Sequence, residues 1–415
     1  MHSQISKLLT RDFLILIIGQ IMSLFGNAIL RFSIPLYLLS KNGSTVAFSV
    51  NLAVSVLPII FLSPVNGLIA DLFPKRSTLI CLDLLTSFVC LLSLHAIESS
   101  RQFLLFTTIT LLLSIIQAIY QPTVLSSISL LLPKTELGIA NALVNQVQSL
   151  ANIIGPALGG ILFNYFGIQL TIILALFSFL ASAILEIFMR IPKLNIEKRI
   201  SWRTTIKVDT LNALTFLRKN PILLKISLLV AIFNLFFESI LIIGLPHVIL
   251  NILQLDSTFY GLSQSAQSLG ALSGSLTLTL FINHLKMNRS YLLFASTIVS
   301  LLPIPISLFL RLSALPTVFI ICICCFLFMI VSTIFSIMML SFIQSITPNR
   351  LMGKIISYIY ALTACTRPFG QILYGFLFEA YSHHAALIFM FTIVINLFVS
   401  FYARKILSPI KQEDY

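Results

Sequence analysis

The sequence predicts an all-α membrane protein in which twelve transmembrane helices form two pseudo-symmetric six-helix halves. Three observations carry this prediction. Of 415 residues, 58% are hydrophobic and only 9% charged, with a mean hydropathy of +1.02, which is more apolar surface than a soluble core can hide. The apolar runs are continuous over the roughly 20 residues that cross a bilayer as a helix, whereas the strands of a barrel would alternate in polarity. The chain also repeats itself at long range: an offset of 215 maps Pro133 to Pro348, Gly155 to Gly370, Gly160 to Gly375 and Phe163 to Phe378, and an offset of 211 maps Pro35 to Pro246.

Taken in order, the spans fall at about 13–39, 46–70, 78–97, 102–132, 141–166 and 169–190, then 222–250, 259–283, 290–311, 316–346, 355–379 and 385–404. Residues 1–190 are thus one six-helix half, and 221–415 the other with a short tail. Residues 191–220 form a basic linker, in which Leu211, Leu214 and Leu217 share one face of a surface helix. With the N-terminus inside, 21 of the 26 Lys and Arg residues fall on inner segments. The excess of bases on that side makes both termini and the linker cytoplasmic, in a multi-pass protein of the cell (plasma) membrane. The net charge of +13 is then a topology signal and an attraction to membrane lipid, and nucleic acid is excluded as a partner. No cleavable signal peptide is evident, since the first apolar run is too long for one. The six Cys all lie within apolar runs, where they behave as small hydrophobes, and no ligand set for a metal accompanies them. No nucleotide loop, catalytic triad or cofactor-binding motif occurs, so an enzyme is not expected.

Two motifs stand out. The stretch Gly67-Leu68-Ile69-Ala70-Asp71-Leu72-Phe73-Pro74-Lys75-Arg76 ends the second span on the inner side. It resembles the signature loop of the major facilitator superfamily, with Gly67, Asp71, Lys75 and Arg76 matching, while Leu72 stands for an Arg and Pro74 for a Gly. The resemblance implies a cytoplasmic latch: Asp71 facing the positive end of a neighbouring helix, and Lys75 and Arg76 meeting lipid phosphate or helix C-termini. The plainer alternative is that the two bases only set topology. Gly155-Pro156-Ala157-Leu158-Gly159-Gly160 in the fifth span is similar to the helix-five motif of antiporters in that superfamily. Gly155, Gly159 and Gly160 would permit close helix contact, and Pro156 would remove one backbone donor and bend the helix. Together with Pro133-Lys134-Thr135-Glu136, Ala140-Asn141-Ala142-Leu143 and Thr215 to Pro221, these resemble the drug:proton antiporter branch that includes macrolide efflux proteins. That resemblance implies a monomeric secondary transporter, with protons as coupling ion and a small-molecule substrate carried by alternating access between the halves.

Ionisable groups deep in spans are costly and are functional candidates. Glu238, near the middle of span seven, is the proton-coupling candidate, and the 211 offset pairs it with Asn27 of span one. The alternative is a carboxylate fixed in a salt bridge with Arg31 or Arg367. Relatives in this branch often carry Asp where this chain has Asn27, and span four lacks the mid-membrane Arg of many proton-coupled members. Arg31 and Arg367 can orient an anionic group, hold Glu238 between protonation events or make a static pair, and Arg31 can snorkel outward. Asn27, Arg31, Gln117, Asn234 and Arg367 are the substrate-cavity candidates, whereas the amides of spans five and eight are assigned to helix packing. Asp83, Glu186 and Glu379 are read as interface-solvated or helix-end charges. Export of an amphipathic molecule is the preferred activity. A metabolite importer, a lysolipid flippase and a non-transporting membrane receptor stay open.

Overall fold

Thr10 starts the first helix, its hydroxyl accepting a bond from the Phe13 amide with Asp12 in the first turn, where an acid suits the helix dipole. Gly43 ends it at φ +62, the left-handed conformation that a residue without Cβ adopts without strain, and its N–H closes on the Leu39 carbonyl. In this computed structural model residues 10–133, 136–192, 220–281, 287–348 and 352–409 are described, the side chains of 42, 59, 63–72, 352–354 and 357 excepted. The expected helix over Leu211 to Leu217 and Lys134 lie outside the described residues.

Among the described residues the long elements are all helical. They are α1 (Arg11–Asn42), α2 (Thr45–Leu72), α3 (Lys75–Ala96), α4 (Gln102–Leu131) and α5 (Leu137–Ile187). After the linker come α6 (Pro221–Ile252), α7 (Ser257–Phe281), α8 (Met287–Phe309), α9 (Ala314–Ile346), α10 (Met352–Ala380) and α11 (Ser382–Leu407). Nine of the described helices are long and apolar enough to cross a membrane. α5 runs for 51 residues, enough for two crossings, and α7 and α10 follow the predicted spans eight and eleven with more polar faces. This is consistent with twelve spans. The break in α5 falls at Gly167, at φ +71 and ψ 179, where a helix cannot continue. Pro156 was expected to bend the fifth span, yet it lies inside the helix and the non-helical residue is Gly167.

The chain divides into two compact units: Met1–Gly43 with Val54–Lys198, and Ser44–Ala53 with Arg199–Tyr415. In the first, α1 packs along α5 and α4, and α3 packs against α4 and α5. Its core includes Tyr37 and Phe106, edge to face at 5.3 Å, with Leu113, Ile172 and Phe179. In the second, α7 packs along α9, α8 against α9 and α11, and α10 along α6. Phe233 stacks on Phe328 at 5.6 Å, and Phe294 meets Phe335 at 4.6 Å, so aromatic contacts supply much of this unit's core. The start of α2 belongs to the second unit, where Glu379 accepts from the Ser44 hydroxyl and the Val46 amide. A helix-end acid there satisfies an otherwise unpaired N–H.

Candidate functional site

In the second unit α6 departs from the α-helix twice, with π-helical turns at Asn234–Glu238 and His247–Ile252. Such widened turns are costly in isolation and recur at functional sites. The first is held by neighbours: Ser239 Oγ donates to the Asn234 carbonyl at 2.8 Å, Asn234 Nδ2 donates to the Thr363 carbonyl at 3.1 Å, and Thr366 Oγ1 donates to the Ala231 carbonyl at 2.9 Å. Gly370 makes this possible, because a Cβ there would collide with the Leu235 carbonyl oxygen and the Ser239 hydroxyl. The backbones of α6 and α10 therefore lie in direct contact.

That crossing brings Glu238 to Arg367. Arg367 Nη2 stands 3.0 Å from Glu238 Oε2, with side chains 34% and 28% exposed respectively. Arg367 Nε and Gln371 Oε1, one turn further along α10, are buried without a hydrogen-bond partner. Of the two bases considered for Glu238, Arg367 is the one the structure pairs with it. Asn234 was assigned to the cavity, but its amide is engaged in stitching α6 to α10.

The first unit has a different polar site. Ser23 Oγ lies 2.7 Å from Asp83 Oδ2 and 2.9 Å from Ser182 Oγ, and Ser182 Oγ donates to the Gly19 carbonyl at 3.0 Å. Helical spacing places Gln20, Ser23 and Asn27 on one face of α1, and Ser182 and Glu186 on one face of α5. Asn27 and Gln117 line a small cavity with Ser23, Asp83, Tyr120 and Phe179. Asp83 is 1% exposed and Glu186 0%, which corrects the reading of both as solvated charges. They do sit toward inner helix ends, yet neighbouring helices cover them. Asp83 is the ninth residue of α3, about 12 Å along the axis at the helical rise, and that depth was the signal available in the sequence.

At the inner end of the same unit, Arg76 Nη2 donates to the Ile187 carbonyl at the end of α5, while Lys75 is 4% exposed. A base on a C-terminal carbonyl complements the helix dipole. Gly67 and Asp71 are helical, and their side chains lie outside the described ones. In the helix-five motif, a Cβ on Gly155 would stand 2.5 Å from the Ala28 Cβ, and one on Gly159 would stand 3.0 Å from the Phe32 ring. Gly160 is buried and Pro156 half-buried. The motif thus seats α5 against α1 inside the first unit. Gln121 Nε2 donates to Gln148 Oε1 at 2.5 Å, an amide pair used for helix packing.

The sequence profile of the Major Facilitator Superfamily matches residues 16–359. Macrolide efflux protein A of Streptococcus pyogenes is 24% identical over 356 residues, 86% of each chain. The multidrug efflux pump Tap of Mycolicibacterium fortuitum is 22% identical over 373 residues, 87% of each chain. Among solved structures, a nucleoside transporter superposes with a TM-score of 0.74 at 12% identity, covering 95% of this chain and 99% of that one. A bacterial homologue of the iron transporter ferroportin, in an inward-facing state, gives 0.70 at 16% identity, covering 95% and 99%. These solved structures share the fold.

Proposed function

Because the chain belongs to the Major Facilitator Superfamily, we propose that it exports an amphipathic small molecule in exchange for protons, by alternating access of its two halves. The superfamily membership makes it a multi-pass membrane transporter and not an enzyme. Efflux is supported by the two relatives that align along most of their length.

The observation that carries the proposal is the Glu238–Arg367 pair. A carboxylate and a guanidinium held together within a span, partly exposed and on a widened turn, form an element with two states. Protonation of Glu238 removes its charge and frees the partly exposed Arg367 guanidinium as a donor to cargo. Loss of the proton restores the pair. Within the first half, Asn27 and Gln117 line a small cavity of their own, and Arg31 is a further polar candidate of that half. Asp71, Lys75 and Arg76 act as the cytoplasmic latch, Arg76 through its bond to the end of α5. The protein works as a monomer in the cell membrane, with both termini and the 191–220 linker in the cytoplasm and basic residues against lipid headgroups.

Reconstitution tests this directly. In proteoliposomes with an acid interior, outward proton flow through an exchanger should drive accumulation of a fluorescent amphipathic cation inside. Accumulation driven by an alkaline interior would mark symport and overturn exchange. Orientation is checked by cysteine labelling, with Thr205→Cys expected to react only from the cytoplasm and Gln254→Cys only from outside.

A further inference from the structure

The buried acids of the N-terminal half have no part in the cycle above. Three contacts run in series through them: Asp83 Oδ2 to Ser23 Oγ at 2.7 Å, Ser23 Oγ to Ser182 Oγ at 2.9 Å, and Ser182 Oγ to the Gly19 carbonyl at 3.0 Å. Each hydrogen bond needs one hydrogen. The carbonyl has none to give, and each serine hydroxyl has one. All three contacts can be hydrogen bonds at once only when Asp83 carries a proton; without it, Ser23 donates to Asp83 and Ser182 to Ser23, and the contact between Ser182 and Gly19 goes without a hydrogen. The Ser182 and Gly19 oxygens would then face each other at 3.0 Å without a hydrogen between them, beside an Asp83 that is 1% exposed.

Glu186 leads to the same conclusion by a different route. It is 0% exposed, and neither carboxyl oxygen has a hydrogen-bond partner. Its Oε1 lies 3.7 Å from where a Cβ on Gly19 would stand, beside the Ser182 hydroxyl, which the same Cβ would meet at 3.2 Å. An unpaired carboxylate without donors is expensive to bury, and two like charges at close range oppose each other further. The nearest bases are Arg76, which donates to the Ile187 carbonyl one residue beyond Glu186, and Lys75, buried eight residues before Asp83 on α3. α1 presents Gln20 and Asn27, and α4 presents Tyr120. Among the described residues no Lys, Arg or His bonds to either carboxyl.

Two further side chains point to a bound species. The Tyr120 hydroxyl is buried without a partner and lines the same cavity as Asp83, which has room for about one water molecule. Gln20 is 0% exposed, with both amide atoms unpartnered. We infer that Asp83 and Glu186 form a second proton-binding site, separate from Glu238 and built wholly within the N-terminal half. The step is a proton joining or leaving a carboxylate oxygen by way of the Tyr120 cavity. Its use in exchange rests on the proton-coupled reading above, whereas its occupancy does not.

Infrared spectroscopy of the purified full chain at neutral pH tests the site, with the proton itself as the ligand. The wild type should show the carbonyl stretch of a protonated carboxylic acid. Asp83→Asn and Glu186→Gln should each remove part of it, and Glu238→Gln should leave it intact. Asp83→Asn should keep the parent melting temperature, because its amide can donate to Ser23 as the protonated acid does. Absence of the band from the wild type overturns the proposal whatever the variants do, and so does a band that survives undiminished in both N-terminal variants. If the wild type shows the band and its loss in the variants while proteoliposome transport ignores the pH gradient, the coupled-export reading fails and the site stands.

Discussion

In the first half Gly155 of α5 lies against Ala28 of α1, and in the second Gly370 of α10 lies against Leu235 and Ser239 of α6. The offsets of 215 and 211 map one contact onto the other, Gly155 to Gly370 and Ala28 to Ser239. The repeat therefore preserves a close helix crossing, where a side chain would push the backbones apart. The polar residues beside that crossing have diverged. The first half carries Asn27 and Asn152 at the positions where the second carries Glu238 and Arg367, and only the second half forms an ion pair there. The first half's acids lie elsewhere, on α3 and α5, among hydroxyls and amides without a base. Packing constrains both halves alike, while the acids meet different partners: a partly exposed Glu238 pairs with a base in the second, and a buried Asp83 meets serine hydroxyls in the first.

This difference is sharpest in its response to amide substitution. Glu238→Gln leaves Arg367 without its counter-charge, so both uphill transport and melting temperature should fall. The stability loss should stay below the about 3–5 kcal/mol of a fully buried broken pair, since each side chain is partly exposed. The double variant Glu238→Gln with Arg367→Gln should recover stability without transport. A Glu238→Gln protein as stable as its parent and still pumping uphill would remove the contrast between the halves.

The crossings themselves should differ in tolerance. Overpacking costs about 1–3 kcal/mol, and Gly370→Ala should reach the upper end because its neighbour is a backbone carbonyl that cannot turn aside. Gly155→Ala meets a single methyl group on Ala28 and should cost less, as melting temperatures of the two variants would show. Equal losses would mean that the crossings yield alike.

In the first half, Ser23→Ala removes the link between Asp83 and Ser182. Leaving buried groups unsatisfied costs about 1–3 kcal/mol, and the lower part of that range is expected because Asp83 can keep a proton. Thermal unfolding that is unchanged would show that the hydroxyl chain carries no stability. The smallest effect on folding belongs to Asp71→Asn, which should slow transport while membrane insertion and melting temperature stay at parental values. Unchanged flux would reduce the loop to a topology signal.

Hydropathy along the chain was sufficient for the helices: the predicted spans and the described helices agree to within a few residues, including the division of α5 near Gly167. The repeat was equally readable, because equivalent glycines and prolines recur at a constant spacing that a single sequence displays. Both are properties of residues close in sequence, or of their order. The partners of the polar groups belong to another kind of information. Nothing in the sequence chose between Arg31 and Arg367 for Glu238, and the choice came from the approach of α6 to α10 at Gly370. Asp83 and Glu186 likewise read as helix-end charges until α1, α3 and α5 were seen to close over them. Whether an acid meets a base, a hydroxyl or water depends on which helix faces meet, and that is decided by packing between segments 60 to 159 residues apart in the chain.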